Sequence, residues 1–486
     1  MSTVTTTASP LNHRLAGFAN PRASVLHSPV VWKFPVVLCL WAIGIAALFY
    51  VYLQAWPGAP FLAGDTDEYL DFAQRLRTHT LMEPSNRLPG YPLLLALFGA
   101  RVRQSVPGLF PFQLVLHGLT IWLVVLCCQR LQLSKRWYVP AALLLCLPPY
   151  VEAAALILTE CLCSLLLLGM LYGLICWRQS NHWGYAVLSG LCGALAFMTR
   201  PVFLFLAPAL ALLTLIAVYR RHHTEQQQRF KKWLATASAV WAPSVATLFI
   251  LFGINLALFN YAGLTPKAGF MLSTRTLRSL ERLPDEHSQY REILIKARND
   301  SMVARNSSHT GTQFMWDSGL IELMRITGKS KTELSGEILA LNLKLIASAP
   351  LDYLSMSVQG MVNSWFPFNT PFASFGSRGL QFLWTALHFA VIALYALALC
   401  YFFTTGLEWL RGNRALAEAA APGTLLIEAW LHFSIWYTCI LSSLLEVGDP
   451  RYMRPVFPLV LLAVVIFVMR LQRRTAPEPS VSLAVI

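Results

Sequence analysis

The sequence predicts an all-α polytopic membrane protein with about ten transmembrane helices. Three observations carry this. Hydrophobic residues make up 56% of the 486-residue chain and charged residues only 13%, far from the balance of a soluble globular protein. Apolar runs of about 17 to 25 residues, each long enough to cross a roughly 30 Å hydrocarbon layer as a helix, recur along it. The short connectors between these runs collect Arg and Lys in alternation.

In chain order the spans read as 32–53, 110–130, 137–153, 156–177, 183–199, 201–219, 234–260, 380–404, 424–445 and 453–470. Pro148-Pro149 and Thr199-Arg200-Pro201 interrupt the third to sixth. The basic connectors hold Arg130, Lys135 and Arg136; Arg178; Arg220, Arg221, Arg229, Lys231 and Lys232; Arg411 and Arg414; and Arg470, Arg473 and Arg474. The positive-inside rule sets these in the cytoplasm, with both terminal segments, 1–31 and 471–486. The net charge of +14 is therefore a matter of topology and anionic headgroups, and no nucleic-acid module is present. All ten cysteines fall in or at the ends of apolar spans, which implies neither a disulfide framework nor a zinc site. The first span is too long for a signal peptide and lacks a small-residue cleavage site, so it reads as an uncleaved anchor. The tail after Arg474 reads as disordered.

This topology gives an N-terminal transmembrane module, 32–261, with a first outer loop at 54–109. An outer segment follows at 262–379, and C-terminal transmembrane helices occupy 380–470. In the first loop, EYLDFAQRLRTH places Tyr69, Phe72, Ala73 and Leu76 at helical spacing, the pattern of an interfacial helix. Arg87-Leu88-Pro89-Gly90-Tyr91-Pro92 then forces a turn. In the second segment, Leu334, Ile338, Leu341, Leu345 and Ile346 share a helical face, so a small helical subdomain is expected there. Asn306-Ser307-Ser308 would accept a glycan in a eukaryotic host.

A chain this sparing of charge nevertheless sets Asp65, Asp67, Glu68 and Asp71 together at a membrane surface in GDTDEYLDFAQRL. Such carboxylates can serve as general base, metal ligand or solvated loop end. The base fits the setting, because a low-dielectric boundary raises proton affinity and a hydroxyl nucleophile needs a nearby proton acceptor. Asp65 and Asp67, in one pocket, would not both ionise. Glu160 follows LILT at the outer end of a span, and Arg200 sits between two spans, where it snorkels, pairs with a carboxylate such as Glu160, or acts in a site. Glu446, Asp449, Arg451 and Arg454 crowd the turn LLEVGDPRYMRP. There Arg451 and Tyr452 suit a phosphate clamp. Arg87 has a similar claim or pairs with the acidic run, and Lys267 opens the second outer segment. No metalloprotease, nucleophile-elbow, phosphate-loop or haem motif appears, and His222-His223 reads as solvated.

GDTDEYLDFAQRL followed by NRLPGYPLLLAL resembles the first outer loop of the GT-C superfamily of polytopic glycosyltransferases, which includes protein O-mannosyltransferases and bacterial aminoarabinose transferases. Asp65, Tyr69 and Ala73 match its spacing, as do Arg87 and Pro89 to Pro92. LILTECL, GALAFMTRPVFLFLAP and GDPRYMRPVFPLVLL agree in order, so the resemblance runs from Asp65 to Leu462. It implies a helical bundle that takes a sugar from a polyprenyl or dolichyl phosphate and transfers it, with inversion, to a lipid, glycan or protein acceptor outside the cytoplasm. Asp65 would be the base, Glu160 would line the same cavity, and Arg451 would sit near the lipid phosphate. No cofactor is required, though Asp65 and Glu160 could hold a divalent metal. Thr66 departs from the Glu of the protein mannosyltransferases, which leaves the acceptor open.

Other classes remain. A transporter or flippase would show inverted repeats and mid-span polar residues, and neither is visible. A polysaccharide ligase would use a diphosphate-linked glycan, and a noncatalytic lipid-binding relative would not need Asp65. A bacterial inner membrane is the expected location, with the site facing the periplasm.

Overall fold

The structure, a computed structural model, describes residues 33–102, 106, 108–219, 226–304, 314–367, 373–411, 424–446 and 448–475. The 1–31 segment, Arg220, Arg221, His222-His223, Asn306-Ser307-Ser308, Arg414 and most of the 471–486 tail lie outside these residues. Among the described residues the chain is helical, with no strand beyond an isolated parallel bridge between Phe61 and Leu156.

Among the described residues, six helical segments are long and apolar enough to cross a membrane: Leu109–Arg130, Glu160–Ser180, Leu234–Phe259, Arg378–Glu408, Leu425–Leu445 and Pro450–Gln472. Counting two bent pairs as single spans gives up to eight: Lys135–Leu144 with Pro148–Ala155, bent by 62°, and Lys331–Ser348 with Pro350–Ser364, bent by 103°. Shorter apolar helices cover Trp41–Ala55, Trp183–Thr199 and Pro201–Ile216. Each of the ten expected spans thus has a helical counterpart, but several are short or broken. Prolines cause two of the breaks, at Pro148-Pro149 and at Pro201, where Arg200 is extended with φ −141° and ψ 123°.

The described chain divides after Pro57 into two compact units. The first holds the Lys33–Ala55 helix, which ends on the paired rings of Tyr52 and Trp56. In the second, the Pro450–Gln472 segment is 89% buried and central, whereas Leu234–Phe259 and Arg378–Glu408, 11% and 17% buried, are peripheral. Arg451 therefore enters the site from the middle of the bundle.

The 262–379 segment is helical in its described residues. A capping box, Ser330 with Glu333, starts the Lys331–Ser348 helix. Its face Leu334, Ile338, Leu341 and Leu345 is buried against Phe270, Leu280, Ile293 and Phe314. Asn342 ties this helix to the entry of the segment, donating to the Gly269 carbonyl at 3.0 Å and accepting from Thr276 at 2.6 Å. Ser335 donates to the Pro266 carbonyl at 2.6 Å, which fixes the residue before Lys267.

Candidate active site

Asp65 stands at the head of the Thr66–Thr78 helix, with Asp67 and Glu68 in the first turn and Arg75 and Arg77 in the last, the order that suits the helix dipole. Tyr69, Phe72 and Ala73 are buried as their spacing predicts. Tyr69 meets Tyr91 edge-on at 5.3 Å, which docks this helix on Gly90–Leu97. Thr66 clamps the loop: its hydroxyl accepts from Ala63 N–H at 2.8 Å and donates to the Ile157 carbonyl at 3.2 Å. Phe61 exchanges backbone bonds with Ala155 and Ile157, and Gln113 donates to the Ala154 and Leu156 carbonyls. Loop 58–65 is thereby stitched to the chain just before Glu160.

The Arg87–Gly90 turn abuts the end of the Trp183–Thr199 helix. A Cβ on Gly90 would lie 2.8 Å from the Met198 carbonyl carbon and 2.9 Å from Thr199 N, so only glycine allows this approach. The turn 448–451 is fixed similarly. Gly448 has φ +67°, and Asp449 accepts from the Arg451 N–H at 2.8 Å.

Three cations converge on two carboxylates. Asp65 Oδ1 pairs with Arg87 Nη2 and lies 3.6 Å from Lys267 Nζ, while Oδ2 pairs with Arg451 Nη2. Glu68 Oε2 lies 2.5 Å from Arg87 Nε and 3.1 Å from Lys267 Nζ, and its Oε1 accepts from Asn86 at 3.1 Å. Aromatic faces back each cation. Arg87 lies 4.7 Å from the Tyr69 ring, Lys267 4.9 Å from Trp316, and Arg200 and Arg451 lie 5.0 and 5.2 Å from Tyr452.

Burial alone would raise the proton affinity of Asp65, but Arg87, Lys267 and Arg451 outweigh it and hold the carboxyl well below the usual carboxylate range. This reverses the raised proton affinity expected from the sequence, because close cations contribute more than the low-dielectric setting. Glu68 is lowered in the same way, against burial, by Arg87 and Lys267. Burial pushes the Tyr69 hydroxyl up to about 12 and, with Arg87, pushes the Lys267 ammonium down.

A cavity of about 900 Å³, including its open mouth, lies among the helices and is lined by His117, Glu160, Trp365, His388, Arg454 and Phe457 among others. Glu160 is 2% exposed, and its Oε2 has no hydrogen-bond partner. Arg454 reaches Glu152 at 3.1 Å.

The structure thus gathers Asp65, Glu68, Arg87, Arg451 and Tyr452, with Arg200 also over the Tyr452 ring. Unlike the half-buried Asp65, Asp67 is exposed. Its place one residue from Glu68 turns it to another side of the helix. Arg200 stacks on Tyr452 instead of meeting Glu160 Oε2. Lys267, noted in the sequence only as opening the second outer segment, lies beside both carboxylates. Glu152 was overlooked, although a lone acid three residues after Pro149 in an apolar span was the signal. Among the described residues no three His, Cys, Asp or Glu side chains gather as a metal site, and both Asp65 oxygens already face cations.

Residues 86–249 match the family model for dolichyl-phosphate-mannose-protein mannosyltransferase, a stretch that takes in Arg87, Glu160 and Arg200. That stretch is therefore similar to a family of the GT-C superfamily. Two solved structures align at low identity. One is the archaeal oligosaccharyltransferase AglB from Archaeoglobus fulgidus, in complex with an inhibitory peptide and a dolichol-phosphate. It is 11% identical with a TM-score of 0.45, over 88% of this chain and 50% of that one. The other is ArnT from Cupriavidus metallidurans bound to undecaprenyl phosphate, 13% identical with a TM-score of 0.33, over 92% of this chain and 79% of that one. The chain spans about half the length of the archaeal protein. No curated protein sequence matches it.

Proposed function

We propose that this GT-C chain is an integral membrane glycosyltransferase that moves a sugar from a polyprenyl-phosphate donor to an acceptor outside the cytoplasm, with inversion and with Asp65 as general base. The observation that carries this is the convergence of Arg87 and Arg451 on Asp65, at the head of the Thr66–Thr78 helix.

With three cations on two carboxylates, Asp65 is a weak base. A donor phosphate competes for the same guanidinium and ammonium groups. As Arg451 and Lys267 turn to it, Asp65 loses the charges that depress its proton affinity, so donor binding readies the base. The acceptor hydroxyl or amine then attacks the anomeric carbon from the face opposite the phosphate. The bond from that carbon to the phosphate oxygen breaks, its electron pair stays on the phosphate beside Arg451, and the acceptor proton passes to Asp65. The apolar cavity walls suit a polyprenyl tail, which is soluble only in the bilayer. The arginines already match the leaving phosphate, so the transfer needs no metal.

The test is sugar transfer by lipid-reconstituted protein given radiolabelled polyprenyl-phosphate sugars and crude envelope acceptors, with and without EDTA. Wild type transfers in EDTA, and Asp65→Asn binds donor but transfers at least about a hundredfold more slowly, the scale of a general base. Equal transfer by wild type and Asp65→Asn would falsify the base assignment. Activity restored only by a divalent cation would overturn the metal-free reading.

A further inference from the structure

We propose that the Pro350–Ser364 helix lies in the bilayer leaflet on the site's side and turns its exposed apolar stripe to the lipid chains. The 262–379 segment is rich in charge, yet from Tyr353 to Ser377 it contains no Asp, Glu, Lys or Arg. Asp352, just before that run, is bound by Arg282 at 3.2 Å and by the Ser279 hydroxyl at 3.3 Å, so the last charge stays with the subdomain at the helix start.

The helix has two faces. Met356, Ser357, Gly360 and Ser364 are buried, Met356 in the core of the 262–379 segment. Leu351, Leu354, Val358 and Val362 recur at intervals of three and four residues on the other side, 77%, 54%, 49% and 55% exposed, and Phe366 continues the stripe. Left in water, such a stripe forgoes the transfer free energy of several large apolar side chains.

Its partners set its depth. The Tyr353 hydroxyl donates to the Leu444 carbonyl at 3.0 Å, at the end of the Leu425–Leu445 span. Further along, the Met361 carbonyl lies 3.9 Å from Cys439 Sγ. The Trp365 ring then meets Trp436 at 5.7 Å and Tyr395 at 5.5 Å. From Leu444 to Trp436 a helix descends about 12 Å at about 1.5 Å per residue. The helix therefore slopes down beside two spans after the 103° bend that separates it from Lys331–Ser348.

Lipid is the occupant that the surroundings favour. Phe366 meets Phe389 edge-on at 5.8 Å, and the stripe runs into exposed Phe382, Leu383, Phe389 and Leu394 on the peripheral Arg378–Glu408 span. The end of the helix also lines the cavity through Ser364, Trp365, Phe366 and Pro367. A helix end, and not a full span, thus separates cavity from lipid at this point.

The test uses Val358→Cys and Val362→Cys in a Cys400→Ser background, with Glu292→Cys, exposed on the subdomain, as the aqueous control. In proteoliposomes a membrane-impermeant maleimide should label both positions at least tenfold more slowly than the control. Nitroxides placed there should collide with oxygen more than with a water-soluble nickel chelate. Labelling of either position at the control rate overturns the proposal in favour of an aqueous face. Protection from both oxygen and nickel overturns it in favour of a protein partner or a second copy.

Discussion

Replacing Arg87 with Met asks whether charge holds the site together. Met keeps much of the apolar stem and removes the guanidinium, whose side chain is 14% exposed against Asp65 at 22% and Glu68 at 30%. Removing one partner of a buried ion pair costs about 3–5 kcal/mol, because the other charge is left uncompensated. Lys267 Nζ stays 3.6 Å from Asp65 and 3.1 Å from Glu68, so the lower end, about 3 kcal/mol, is expected. The lost contact with the Tyr69 ring adds about 0.5–1 kcal/mol. If the cost is a stranded charge, Arg87→Met with Glu68→Gln should be less damaging than the two single changes summed, with a coupling of about 1–2 kcal/mol. The assay is reversible unfolding in detergent, read with a thiol-reactive fluorophore as the buried Cys127, Cys128, Cys161 and Cys163 become accessible. Wild-type stability in Arg87→Met, or additivity within about 0.5 kcal/mol, would refute the reasoning and leave the cluster as a solvated set of charges.

The acid side gives a second expectation. Asp65 and Glu68 lie below their ordinary values of 3.8 and 4.5, so their share of stability is whole above those values and is lost as pH falls through the folded ones. The cluster's contribution should therefore stay flat from pH 8 to about 5 and decline below about 4, checked by the same unfolding assay across pH. Lys267→Met removes a cation from Asp65, raises its proton affinity and should move the acidic limb of the transfer profile to higher pH; an unmoved limb would remove Lys267 from the site. Gly448→Ala combines φ +67° with a Cβ 2.3 Å from the Gly360 carbonyl oxygen, so it should destabilise by about 1–3 kcal/mol and displace Arg451. Wild-type stability and transfer in that variant would show that the turn can shift without consequence.

Much of the architecture was legible because its signals are local. A span announces itself by length and apolarity, and the buried faces Tyr69, Phe72, Ala73 and Leu334, Ile338, Leu341 follow from helical period alone. Asp65 and Arg87 could be singled out because charge beside an apolar run is conspicuous. Lys267 and Glu152 could not be ranked, since a single charge in a long segment carries no local sign of its partner. Where prolines break helices the expected spans are short or bent, because composition records apolarity but not the bend.

What the sequence determined by itself is the class: a helical membrane protein with an acidic loop, a Pro-Gly turn and an arginine turn, in an order that resembles the GT-C superfamily. Tertiary structure alone decided that Arg451 meets Asp65 across 386 residues and that Lys267 reaches Glu68 across 199. It also decided the sign of the Asp65 shift. Burial and attraction act on that carboxyl in opposite directions, and the outcome depends on distances of a few ångströms set by helices far apart in the chain.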